Sequence, residues 1–107
     1  NIGDLTFEDL LQIVPEKTSL LTTYPNPFNG RVNIPFQLAT TINTSIIIYD
    51  ILGKEIKTFP IKNFSPGNYN ITWNAKNQLG QEVSTGVYLI KLQSAYSNNV
   101  EKVIYLK

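Results

Sequence analysis

The sequence predicts an all-β chain: an antiparallel sandwich of about seven strands, preceded by a short N-terminal helix and a linker. Three observations carry that reading. Apolar and polar residues alternate in several runs from Arg31 onward, the mark of strands with one face to a core and one to water. Turn-forming residues interrupt those runs at roughly the 8–12-residue spacing of a sandwich. The chain has 107 residues, 42% hydrophobic and 16% charged, which is a folded composition and enough for one compact domain. Six or seven short strands in the last four fifths of such a chain fit an immunoglobulin-like sandwich.

Residues 1–23 form the first region, read as a short helix and linker at the end of an upstream region. Thr6 and Asp9 make a pair resembling a capping box, with Asp in place of the usual Glu or Gln. Phe7, Leu10, Leu11 and Val14 recur at helical spacing, and Pro15 ends the pattern. Two turns of helix do not hold alone in water, so this helix is expected to dock on a neighbour. The run from Gly3 to Leu10 resembles the end of a dockerin repeat. The leading acidic ligands of its calcium loop are missing, and no metal site is expected. Residues 15–23 read as a linker that ends in a short strand.

From residue 24 the second region, 24–107, has strand periodicity. Pro25 and Pro27 fix φ and are expected to hold the entry extended. Phe28 is expected to plug one end of the core, and Asn29-Gly30 to turn the chain with positive φ. Val32, Ile34, Phe36 and Leu38 then share one phase; Pro35 among them predicts a sheet edge or a bulge. Ile46 and Ile48 point inward from Thr44–Asp50. Residues 54–61 are β-like. Tyr69, Ile71 and Trp73 share a phase, as do Tyr88, Ile90 and Leu92. In residues 99–106 two sets compete for the inner face: Val100, Ile104 and Leu106 against Val103 and Tyr105. Turns are placed at Asn29-Gly30, Leu52-Gly53, Ser65-Pro66-Gly67, Asn77–Gly80 and Ser97–Asn99.

Composition excludes much chemistry. The chain has no His and no Cys, so it lacks Ser–His–Asp and Cys–His nucleophile systems, disulfides, and zinc or haem sites built on those ligands. Asp50 and Glu55 flank the turn Ile51–Gly53, where Asp50 is expected to bond local backbone N–H groups instead of doing acid–base work. No glycine spacing suits a phosphate. The eight bases of residues 24–107 are scattered singly against four acids, without the stripe that nucleic acid requires. No apolar run nears the ~20 residues that cross a bilayer. Neither a cofactor nor a small-molecule substrate is expected. Trp73 and the tyrosines suggest a sugar platform, but Trp73, Tyr69 and Tyr88 carry the core phase; Tyr49, Tyr96 and Tyr105 are the ones left to be exposed. The N-x-S/T triplets at Asn43, Asn63 and Asn70 are expected by chance in an Asn-rich chain. The opening lacks a signal peptide and reads as the end of a longer secreted protein.

Four motifs carry a family likeness. They are Tyr24-Pro25-Asn26-Pro27-Phe28-Asn29, Ile48-Tyr49-Asp50-Ile51-Leu52-Gly53, Gly67-x-Tyr69-x-x-x-Trp73-Asn74, and Gly80-x-x-Val83-x-x-Gly86-Val87-Tyr88. In this order they resemble the C-terminal sorting domain of type IX (Por) secretion, in the variety related to the immunoglobulin-like domains of flagellar hook-capping proteins. The closing Lys102-Val103-Ile104-Tyr105-Leu106-Lys107 resembles that family's last strand. Gly30 stands where the common pattern has Pro, and Asn74 where it has Asp; both keep turn chemistry.

The resemblance implies a non-catalytic transport address on secreted and cell-surface proteins of Bacteroidota-like bacteria. Its partners would be an attached upstream cargo, the outer-membrane translocon, and a surface sortase-like peptidase that cuts in the linker before Tyr24. The hairpin Gly86–Lys107 would carry most of the signal. Gly86 would permit the bend into it, Tyr88 would serve the core, and Lys102 and Lys107 would meet the receptor, which is expected to pair along the edge of the last strand. The alternatives are a carbohydrate-binding module or a structural spacer of an extracellular protein.

Overall fold

The computed structural model describes residues 17–41, 43–94 and 98–107. The helix expected around Thr6–Val14, and Tyr96, lie outside these residues. The chain forms seven strands: β1 (Ser19–Leu20), β2 (Val32–Leu38), β3 (Thr44–Asp50), β4 (Glu55–Ile61), β5 (Gly67–Trp73), β6 (Gly86–Gln93) and β7 (Asn98–Tyr105). They pair antiparallel in two sheets, ordered β1-β2-β5 and β4-β3-β6-β7. The all-β sandwich is therefore as the periodicity predicts.

Alternation builds the core. Val32, Ile34, Phe36 and Leu38 from β2 meet Ile46 and Ile48 from β3 and Tyr88, Ile90 and Leu92 from β6, all buried, with Trp73 closing the layer from β5. Each such side chain contributes about 1.5–3 kcal/mol of transfer free energy. The ambiguity in the last strand resolves in favour of Val103 and Tyr105. Tyr105 is 3% exposed, against 58% for Val100 and 47% for Leu106, so of the two placements left open for Tyr105 the inner one holds. Its ring finds aromatic partners inside.

Two local expectations are corrected. β2 is the middle strand of its sheet, not an edge. Pro35 is tolerated because its peptide group points toward β1, where Leu21 N donates to Pro35 O (2.9 Å) just past the two-residue strand. The N–H that proline lacks falls where the pairing is already running out. Positive φ occurs at Gly53, Gly67, Gly80, Asn63 and Ala75, and not at Asn29, Gly30 or Gly86. The peptide bonds Tyr24–Pro25 and Asn26–Pro27 are both cis.

Two turns share one design. Asp50 Oδ1 accepts hydrogen bonds from the N–H groups of Leu52 and Lys54 (both 2.9 Å), with Gly53 at φ 84°. Asn77 Oδ1 accepts from Leu79 (3.0 Å) and Gln81 (2.9 Å), with Gly80 at φ 82°. In each, a short polar side chain organises the loop and glycine supplies the left-handed residue.

Candidate functional site

The C-terminal hairpin puts β7 on the outside of the four-stranded sheet. Its register with β6 sets Gly86 opposite Tyr105, Val87 opposite Ile104 and Tyr88 opposite Val103. Along β7 the peptide groups alternate sides. Those of Lys102, Ile104 and Leu106 face away from β6.

The Tyr24–Asn29 segment lies along that outer side. Asn26 Nδ2 donates to Lys102 O (3.0 Å), and Ile104 N donates to Asn26 Oδ1 (3.0 Å). The carboxamide thus takes the place of one peptide unit of a neighbouring strand. Phe28 continues the row: its N donates to Ile104 O (2.9 Å), and its O accepts from Leu106 N (2.8 Å). The ring of Phe28, 2% exposed, stacks on Tyr105 (5.0 Å) and tilts against Trp73 (5.7 Å). Trp73 in turn meets Tyr88 edge-on (5.3 Å). Four aromatic side chains from four parts of the sequence thereby close this end of the core, an arrangement in which ring pairs add about 0.5–1.5 kcal/mol beyond their burial.

Polar ends are tied down locally. Tyr88 Oη donates to Ser84 O (2.6 Å), and Tyr105 Oη donates to Glu82 Oε1 (2.6 Å). The bond to Glu82 is the main reason the Tyr105 phenol is held above its ordinary range; burial and the charge of Glu82 act the same way. Burial, then the charge of Asp50, raises Tyr88. Lys107 N donates to Thr85 Oγ1 (3.2 Å), and Lys107 Nζ lies 3.9 Å from Glu82.

The expected signal residues divide. Val103, Tyr105 and Tyr88 are core, and Gly86, Val87 and Ile104 are half-buried. Lys102, Leu106 and Lys107 are exposed, beside the exposed Tyr24, Pro25, Asn26 and Pro27; Leu106 and Lys107 share an open notch with Pro25, Pro27, Phe28 and Asn29. Gly86 is not a special bend: its φ is ordinary and an added Cβ would meet nothing within 4 Å. Among the motif residues, Trp73 is buried, Tyr49 and Asp50 are half-buried, and Gly53 and Gly80 are exposed turn positions. Sequence reasoning missed the role of Asn26, although an amide set between two prolines was the available signal. It also missed Glu82 and Thr85, which no pattern marks. Among the described residues no group of three or more Asp or Glu side chains is placed to hold a metal ion.

The two sheets, with the tail clipped along one edge, make an antiparallel β-sandwich module. Residues 22–106 match the family described as the secretion system C-terminal sorting domain (Por_Secre_tail), and the chain belongs to that family. It is a sorting domain of type IX secretion, which directs the export of an attached cargo across the outer membrane to the cell surface or medium. Among solved structures it resembles dimeric latent PorU from Porphyromonas gingivalis at 19% identity and a TM-score of 0.66, over 81% of this chain and 9% of that one. It also resembles PorZ, a surface component of the type IX secretion system of the same organism, at 18% identity and a TM-score of 0.57, over 83% and 12%. FlgD of Xanthomonas campestris, a flagellar hook-capping protein, matches at 17% identity and a TM-score of 0.52, over 85% and 63%. At these identities the likeness is one of fold, and the chain spans only a small part of PorU and PorZ. Comparison with curated proteins gives no match.

Proposed function

We propose that the secretion machinery reads this domain through side chains at its clipped C-terminal end, with Lys102, Leu106 and Lys107 as the contacts. One observation carries the reading: those three side chains are exposed on a strand whose outer peptide groups are already bonded to Asn26 and Phe28. Receptor pairing along the backbone of Lys102–Leu106 would first have to expel that segment. Side-chain recognition requires no such step. Val103 and Tyr105 serve by anchoring the strand.

The partners proposed are the outer-membrane translocon and a surface sortase-like peptidase acting between cargo and domain. The cut falls before Thr18. From Thr18 to Tyr24 the chain is bound along β2: Thr18 Oγ1 accepts from Ala39 N (3.0 Å), Ser19 and Leu20 pair with Gln37 and Phe36, and Tyr24 exchanges two backbone bonds with Asn33 (2.7 and 3.1 Å). A peptidase that needs its substrate extended and unpaired has no access there. The carbohydrate-binding alternative loses its platform, because Trp73 and Tyr88 are both buried.

The test is export of a neutral periplasmic reporter fused to the full chain in a type IX-competent bacterium. Deleting Val103–Lys107 is expected to trap the reporter in the periplasm. Because that deletion also removes core residues, the double variant Lys102→Glu/Lys107→Glu is run beside it and is expected to fold normally yet export poorly. Normal export of the charge-reversed domain would reject Lys102 and Lys107 as contacts.

A further inference from the structure

Three of the four sheet edges are shut by devices within the chain. β7 is covered by Asn26 and Phe28. β1 is tied to β7 by Leu20 N, which donates to Asn99 Oδ1 (3.3 Å). On β4 the outward peptide groups are those of Ile56, Thr58 and Pro60. Ile56 O accepts from Gln78 N (2.9 Å), Thr58 N donates to Gln78 Oε1 (3.1 Å), and Pro60 has no N–H to offer. Blocking groups of this kind are how folded proteins keep edges from pairing with other chains.

Among the described residues β5 has no such device. Leu21 and Tyr24 engage the odd-numbered peptide groups of β2, so β2 pairs with β5 through Gly67, Tyr69, Ile71 and Trp73. The peptide groups of Asn68, Asn70 and Thr72 therefore point outward, and no hydrogen bond from the described residues reaches them. The strand contains neither charge nor proline. The side chains of Asn70 and Thr72 are held on the outer face by Asn33 Oδ1 (3.2 and 3.4 Å), clear of the edge itself.

A ledge lies beside this edge. The three-stranded layer is set toward β6 and β7, which β1 touches, so among the described residues no fourth strand covers β4. Lys57 and Phe59, opposite the inward-facing Ile48 and Ile46, line an open cleft there with Gly30, Arg31, Thr72 and Asn74. Lys57 Nζ sits 5.5 Å from the centre of the Phe59 ring. Among the described residues no carboxylate lines the cleft. The bulge between Ile48 and Tyr49 pairs Glu55 with Tyr49, and so turns Glu55 to the other face.

We infer that β5 and this ledge form a docking site for one extended, acidic strand of the secretion machinery, separate from the C-terminal contact surface and resting on the sorting function proposed above. The incoming strand bonds to Asn68, Asn70 and Thr72, sets an apolar side chain on Phe59, and brings carboxylates to Arg31 and Lys57. Charge and shape select this occupant. A second copy joined through its own β5 would bring its own Arg31 and Lys57 against these, like charge facing like.

The experiment is the same reporter export assay, with the tail-deleted chain as an internal control and thermal unfolding to confirm each fold. Asn70→Pro removes the central outward N–H, as Pro35 does on β2 without harm; Thr72→Pro is the second variant should the first fail to fold. Arg31→Glu/Lys57→Glu reverses the charge of the ledge. Export is expected to drop about tenfold or more in the edge variant and in the ledge variant, the effect of losing one or two interfacial bonds. A photoreactive side chain at Asn68 is expected to give an adduct that the ledge variant loses. Normal export of both folded variants, with the tail deletion still trapped, overturns the docking site and leaves the sorting proposal standing. Normal export of the tail deletion overturns the sorting proposal, and the docking inference with it.

Discussion

The two lateral sides of the sandwich face opposite problems. On the β1/β7 side, residues from the start of the domain reach across more than seventy positions to seal the last strand: Asn26 bonds Lys102 and Ile104, and Phe28 fills the hole beneath. On the β4/β5 side, β4 is sealed by Gln78 and Pro60, while no hydrogen bond from the described residues reaches the outer edge of β5. One side is fastened by long-range contacts that hold the terminus; the other keeps a row of backbone groups that no described residue bonds. A domain that must present its tail intact needs the first arrangement. The second leaves an edge of the kind that pairs with another strand.

The largest effect expected is on the fastened side. Phe28→Ala empties the centre of the Tyr105–Phe28–Trp73 cluster and should cost about 3–5 kcal/mol in chemical denaturation. An effect below 1 kcal/mol would mean that the plug is ornamental and that the seal is a matter of hydrogen bonds alone. Asn26→Ala comes next. It leaves the core intact but strips two bonds from β7, a loss of about 1–3 kcal/mol. Its specific sign is faster hydrogen exchange at the Ile104 amide, with Val103 and Tyr105, bonded to β6, little changed. Uniform acceleration along β7 would show that Asn26 supports the whole strand and not its outer edge. On the open side Asn70→Pro should shift stability by only about 0.5–1 kcal/mol, since it removes an exposed side-chain bond to Asn33 and a backbone N–H that has no partner among the described residues. A shift as large as that from Asn26→Ala would erase the contrast between the two sides.

How much of this was legible depends on the range of the interactions. The strands were readable because period-two burial is written in neighbouring residues: Val32, Ile34, Phe36 and Leu38 could face only one way. The turn at Asp50 was readable because its bonds reach two and four residues along the chain. The last strand was ambiguous because both of its faces carry apolar side chains, and Phe28 and Trp73 decide between them only in three dimensions. Pro35 misled because the rule that confines proline to edges counts strands, whereas the chain pairs peptide groups one at a time. The clip at Asn26 and the open edge at β5 were invisible for the same reason: which peptide group is left over depends on topology, and topology joins residues that share no local pattern.

The smallest effect tests the fastened end by titration. Glu82 and burial hold the Tyr105 phenol above its ordinary pKa, and burial with Asp50 does the same for Tyr88. Below the unfolded tyrosine pKa of about 10, folded and unfolded chains both keep these protons, and the stabilisation is fully present. As pH rises further, the unfolded chain gives up its phenolic protons first, so stability is lost through the folded pKa values. The unfolding temperature should therefore be insensitive to these two groups between about pH 7 and 9 and fall above about pH 10. Tyr105→Phe should lower stability at neutral pH by removing the bond to Glu82, and should make the alkaline decline shallower, leaving the part due to Tyr88. A decline of unchanged slope in Tyr105→Phe would mean that the Glu82 bond does not hold the phenol, and that the end of β7 is fastened by Asn26 and Phe28 alone.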